Sequence, residues 1–423
     1  MSEVSNKWLL VNHLDSGGLG TLTAISTSDN RISSTSLTST KASGNTYAPW
    51  FLGLKANLNV ILFDPESKNI HLADQMPPDA YPAYSYKDSL NNRIWFMNDG
   101  DKENGNDALH CGTNGSTVTI IDMGDEKTAP QHIKTLCVGR GHHVTTFIEP
   151  TTAFPNLPKV AYVSNLLDGS ISIIGNDAED SETYLQIIHS ISLCEPNKEK
   201  NGLDAVPNNA FPHGKQFSNE TGKVYSLNNG YGTVAVINPM THKIEERITL
   251  KGCSNLLLSP CGKFLIGKGA DRKSNDTHVL GRLSVIDAVT YQVLSEDDIQ
   301  DFYPSTYRFN PAGNKLYVTS SATGKGEQRD NLNINTLYIY DVSNLPNLSL
   351  IKTMTVGNSD CSRRPVAFSS NNKENRVFIP NPTDATVSIL NGEDDSIIET
   401  IKIADQGGKE FNFSFWQDNV YGA

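Results

Sequence analysis

The chain has 423 residues, 37% hydrophobic and 19% charged, with 32 glycines and 20 prolines, a globular composition rich in turns that favours short strands over long helices. Its formal net charge of −12, with no Lys/Arg run to reverse it locally, argues against nucleic acid as a partner. No apolar run reaches the length of about eighteen residues that a membrane span needs, and the opening MSEVSNKWLLVNHLD has neither a basic start nor a signal-length apolar core, so the expectation is a cytoplasmic chain without a membrane partner.

Taken in chain order, the sequence repeats one pair of strands seven times. A strand opened by a basic residue recurs as KWLLVNH (7–13), RIWFMND (93–99), KVAYVSN (159–165), KVYSLNN (223–229), KFLIGKG (263–269), KLYVTSS (315–321) and RVFIPNP (376–382). A second strand follows each in step: GTLTAIS (20–26), STVTIID (116–122), GSISIIG (169–175), GTVAVIN (232–238), GRLSVID (281–287), NTLYIYD (335–341) and ATVSILN (385–391). Most pairs lead into a more polar strand such as HIKTLCVG, LIKTMTVG or IIETIKI, the pattern of a solvated outer edge. The unit is clearest at 211–250, where turn residues bracket every apolar run and an inner strand starts at Pro212-His213.

A unit of four strands cannot hide both faces alone, so copies must pack sheet on sheet around an axis. The expected fold is therefore all-β, a single β-propeller over 1–423 built of four-stranded blades. The first unit begins at its second strand, and KEFNFSFWQD (409–418) is left over to complete it and close the ring. The matched pairs give seven blades, while WFLGLK, NVILFD and KNIHLAD between 50 and 74 read either as an eroded eighth blade or as an inserted layer.

The units at 142–175, 211–238 and 364–391 resemble the YVTN-type β-propeller repeat, in which a Pro-His-Gly-like strand start, a Gly turn, a Tyr-Val-x-Asn strand and a Gly-Thr-Val-x-Val-Ile-Asp strand follow one another. The resemblance runs from about residue 80 onward and implies the fold. It does not imply one reaction, because the repeat occurs in cytochrome d1-like, lactonase-like and copper-binding propellers and in members without known activity.

In a propeller, the loops entering the innermost strands and those joining second to third strands share one face, at the mouth of the axial channel. The entering loops carry Arg140, His142, His143, His213, Cys253, Arg363 and Arg364. The longer loops 267–282 and 320–336 share a Gly-Lys-Gly-x-x-Arg pattern, which contributes Lys268, Arg272, Lys325 and Arg329 and sets two cationic forks on adjacent blades.

His142, His143 and His213 are candidate metal ligands, since imidazole suits copper or iron. The His-His pair is weakly similar to the copper propeller of nitrous oxide reductases, with a smaller histidine set; the competing reading makes His213 part of the structural Pro-His-Gly motif. Arg140, Lys268, Arg272, Lys325, Arg329, Arg363 and Arg364 are candidates for holding a carboxylate, a phosphate or a tetrapyrrole's propionates. The competing reading pairs them with Asp271, Glu327, Asp330 and Asp360. The six cysteines, widely spaced and without a CxxC pair, read as reduced thiols. Three functions fit: a metal-dependent or tetrapyrrole-associated oxidoreductase acting on a small anionic ligand, a lactonase-like hydrolase, or a non-catalytic propeller that binds a ligand or partner protein on this face.

Overall fold

β-branched and aromatic runs alternating with Gly, Asn and Asp turns become, in a computed structural model, eight four-stranded antiparallel sheets. The structure describes residues 8–14, 19–27, 29–40, 43–47, 50–54, 57–64, 67–78, 82–98, 111, 115–124, 128, 130–141, 144–360, 364–370, 375–405 and 411–415. Blade 1 comprises Trp8–Leu14, Leu19–Ser26 and Ile32–Thr40, and Phe411–Phe415 pairs with its first strand from Leu9↔Phe415 to His13↔Phe411. The leftover C-terminal strand therefore closes the ring, as the sequence requires.

Blades 3 to 8 follow at 82–138, 145–192, 212–249, 255–300, 304–355 and 367–402, each in simple up-and-down order. With blade 1 they hold the seven matched pairs. The segment at 43–78 also forms a complete sheet, Ser43–Tyr47, Trp50–Leu54, Asn57–Asp64 and Asn69–Pro78, whose first strand lies beside Phe411–Phe415. That arrangement fits the alternative of an eighth blade. Among the described residues no helix is long and apolar enough to cross a membrane.

One register repeats from blade to blade. Inner-strand residues Tyr86, Thr146, Gln216, Leu257, Arg308 and Ala367 lie opposite Trp95, Tyr162, Tyr225, Ile266, Tyr317 and Phe378 of the second strands. All six second-strand residues are fully buried, five of them aromatic, and they form the layer that packs blade against blade. The Asn that ends several of these strands is structural. Asn98, Asn165 and Asn381 each donate from Nδ2 to two hydroxyls of the neighbouring strand at 2.9–3.1 Å. Buried donors are thereby satisfied at the ends of these three strands, whereas the equivalent Asn228 of blade 5 has no such partner.

Apolar clusters cross the blade boundaries, with Leu9, Val11 and Ile25 of blade 1 against Phe378, Val387 and Ile389 of blade 8. Gly214 of the Pro-His-Gly element shows why that motif needs glycine. A Cβ there would lie 2.7 Å from the backbone nitrogen of Leu256 on the next blade.

The reading of every cysteine as a reduced thiol is corrected: Cys111 and Cys137 form a disulfide. The bond ties the loop before Ser116–Asp122 to the outer strand Gln131–Val138, so residues 26 apart in sequence become neighbours across one blade. Among the described residues Cys194, Cys253 and Cys261 are free thiols, burial pushing the Cys253 thiol up to about 11, and Cys361 lies outside the described residues.

Candidate anion-binding rim

Blade 6 has the longest inner hairpin among the described residues. Strands Phe264–Asp271 and Leu280–Asp287 pair as far as Asp271↔Leu280, lifting the loop 272–279 above the face. That loop is held by short side-chain turns. Asp271 accepts from the Lys273 and Ser274 amides at 2.8 and 3.1 Å, and Asn275 accepts from the Thr277 and His278 amides at 2.8 and 3.1 Å. Hydroxyl and amide donors also hold the Asp271 carboxyl below its ordinary range.

From blade 7, the short helix Glu327–Asn331 buries Gln328, whose side-chain amide donates to the carbonyls of Arg272 (3.1 Å) and Asn275 (2.5 Å). The two Gly-Lys-Gly-x-x-Arg loops are thus docked on each other. Between them opens a cleft of about 410 Å³ lined by Lys251, Asp271, Arg272, Lys273, Arg282 and Lys325, with Gly252, Ala270 and Leu280.

The charges in this cleft do not balance. Arg282 is neutralised by Asp298, with Nε–Oδ1 2.6 Å and Nη2–Oδ2 2.7 Å, a two-point contact that raises its pKa still further. Lys251, Arg272, Lys273 and Lys325 have no carboxylate in ion-pair contact among the described residues. Arg272 lies over the Tyr303 ring at 5.5 Å, which orients the guanidinium without cancelling its charge. One acidic group therefore faces four uncompensated cations.

The other predicted site residues go elsewhere. Lys268 donates to the carbonyls of Pro304 (3.1 Å) and Ser305 and lies over the Tyr307 ring, tying blade 6 to blade 7. Arg329 pairs with Asp360. Arg140 is held by Asp168, through Nε at 2.7 Å and its backbone amide at 2.8 Å. Arg364 is fully buried and donates to the carbonyls of Pro380 (2.9 Å), Ile334 (2.8 Å) and Gly357 (2.6 Å) and to the Asn381 side chain. Lys268, Arg329 and Arg140 each already engage a fixed acceptor, and Arg364, fully buried with four acceptors, is a structural residue.

His213 is half-buried on the inner strand of blade 5, while His142, His143 and Arg363 lie outside the described residues. Among the described residues no three His, Cys, Asp or Glu side chains come together to hold a metal ion. Of the predicted cations among the described residues, Arg272 and Lys325 alone meet in the cleft. Lys251 and Lys273 join them unpredicted, although each sits in a loop that the repeat already placed on this face.

No protein-family model matches the chain, and no curated protein matches it in sequence. By structure it is similar to the dihydro-heme d1 dehydrogenase NirN in complex with DHE, with a TM-score of 0.60 and 9% identity over 95% of this chain and 74% of that one. It is also similar to apo AztD from Citrobacter koseri (0.56, 12%, 98% of each chain) and to PpgL, a periplasmic gluconolactonase of Pseudomonas aeruginosa (0.55, 12%, 97% and 99%). These likenesses establish the β-propeller fold. At such identities they say nothing of chemistry.

Proposed function

We propose that this protein is a ligand-binding propeller of the YVTN-like kind that captures a small multiply charged anion in the cleft between blades 6 and 7. The observation that carries the reading is the set Lys251, Arg272, Lys273 and Lys325, without carboxylate partners among the described residues in a chain of net charge −12. Four positive charges held within about 410 Å³ repel one another, and a ligand with two or more carboxylates or phosphates relieves that repulsion. A tetrapyrrole with propionate arms belongs to the same ligand class. The Cys111–Cys137 disulfide supports an oxidising compartment in place of the cytoplasm.

Calorimetric titration with citrate and with inorganic pyrophosphate, and absorbance titration with a dicarboxylated tetrapyrrole, test this. At least one should bind in equal stoichiometry and weaken steeply as sodium chloride rises. The double variant Arg272→Gln/Lys325→Gln should bind at least about tenfold more weakly, since each charge-assisted hydrogen bond contributes about 1.5–3 kcal/mol. No binding by any of the three at low salt overturns the reading.

A further inference from the structure

The innermost strands of the eight blades read FNFSF, SGNTY, PAYSYKD, TTFI, PHGKQFS, NLLL, PSTYRF and AFSS. Among these described strands Asp88 is the one carboxylate. It is occupied at the end of its strand by the side-chain amides of Asn91 (2.9 Å) and Asn176 (2.8 Å). The same strands carry three basic residues, Lys87, Lys215 and Arg308.

Lys215 is spent on structure. Its amine is buried between blades 4 and 5 and donates to the carbonyls of Val144 (2.7 Å) and Tyr162 (2.5 Å) and to the Ser164 hydroxyl (3.0 Å). Arg308 is not. It stands at the register position that holds Tyr86, Thr146, Gln216, Leu257 and Ala367 in other blades, one layer around the axis.

Arg308 of blade 7 and Tyr86 of blade 3 are close enough to influence each other electrostatically, although blades 4, 5 and 6 stand between them in the chain. Arg308 lies on the innermost strand of its blade, the edge that borders the axial channel, and blade 7 stands across the axis from blade 3 in a ring of eight. Its Nε is enclosed with no hydrogen-bond acceptor, while the residue as a whole keeps partial access to solvent. Burial pushes its pKa below the ordinary value, yet a guanidinium does not give up its proton under ordinary conditions. Among the described residues no carboxylate pairs with this partly enclosed cation, so a mobile anion entering from the solvent side would stabilise it.

We propose that the axial channel is a second anion site, in which a small oxyanion presenting two coplanar oxygens, a carboxylate or a phosphate, sits on the Arg308 guanidinium with Tyr86 across the axis. It shares no residue with the rim cleft. A planar fork of donors suits such a two-oxygen ligand better than a point charge does.

The test uses the full chain carrying Arg272→Gln/Lys325→Gln, which weakens the rim cleft, and reads the site through the further loss on replacing Arg308, so that the two readings fail separately. Titration with acetate and, separately, with inorganic phosphate at constant ionic strength should show one equivalent bound, and adding Arg308→Gln should weaken it at least about tenfold. Acetate alone identifies the site as one for carboxylates, phosphate alone as one for phosphates, and both support an oxyanion site. Should Arg308→Gln not fold, Arg308→Met serves. It removes the uncompensated charge and should melt no lower than its parent in anion-free buffer, while losing the stabilisation that acetate or phosphate gives the parent. Binding of neither probe, or equal binding after Arg308 is replaced, overturns the proposal.

Discussion

The guanidinium of Arg364 donates to the side-chain oxygen of Asn381, and this contact fastens the loop entering blade 8 to the residue that ends that blade's second strand. Three backbone carbonyls, of Pro380, Ile334 and Gly357, accept from the same guanidinium, and Asn381 in turn donates to Thr386 and Ser388. Arg364 and Asn381 are themselves fully buried, so each buried acceptor left open costs about 1–3 kcal/mol.

Arg364→Lys is therefore expected to destabilise the protein by about 3 kcal/mol or more, because one ammonium cannot reach acceptors arranged for a planar fork. Arg329→Ala, which removes only the exposed pair with Asp360, should change stability by less than about 1 kcal/mol. Urea unfolding curves of the two variants decide the matter. A lysine variant as stable as the parent would show that Arg364 supplies only charge.

A pH-dependent contribution sits on the opposite face, between blades 4 and 5. The Tyr162 hydroxyl meets His242 Nδ1 at 2.7 Å, and His242 stacks on His189 with ring centroids 5.6 Å apart. Burial, and the neighbouring His189, lower the His242 pKa below its ordinary value. The unfolded chain thus binds a proton more readily than the folded one. The stabilisation is complete above the unfolded value of about 6.5 and is lost as pH falls through the lowered folded value. His242→Gln should flatten the loss of stability in that acidic window, read as unfolding midpoints between about pH 4 and pH 7. An unchanged slope would place the titrating group elsewhere.

The fold was legible because its determinants are periodic. A basic residue, an aromatic two or three places on and a terminal Asn recur in register, and Trp95, Tyr162, Tyr225, Tyr317 and Phe378 do form one buried layer. Arg272 and Lys325 were legible for the same reason, since a pattern repeated on adjacent blades implies neighbouring side chains. What the sequence left open is which cations find partners. Arg364 and Arg329 look alike as residues of rim loops, yet one is sealed among carbonyls and the other meets Asp360 at the surface. Arg308 went unnoticed because it lies inside a strand, where the periodic pattern assigns packing. Its chemistry comes from its place at the axis, which only closure of the ring creates.

The disulfide escaped for a related reason: the spacing between Cys111 and Cys137 matches no motif, and the bond depends on where the tertiary fold sets Cys111 relative to the outer strand of blade 3. Closing a loop across a separation of 26 residues removes conformations from the unfolded chain, a stabilisation of about 3–4 kcal/mol on the chain-entropy account. Cys111→Ser/Cys137→Ser should lower stability by roughly that amount, and a reducing agent should lower the melting temperature of the parent without moving that of the variant. Labelling parent and variant with a thiol reagent under native conditions gives an independent comparison: of the free cysteines among the described residues Cys261 is the exposed one, Cys361 lies outside them, and parent and variant should label equally. Two more sulfurs labelled in the parent than in the variant, without reduction, would mean that the bond is absent, and the case for an oxidising compartment would fall with it.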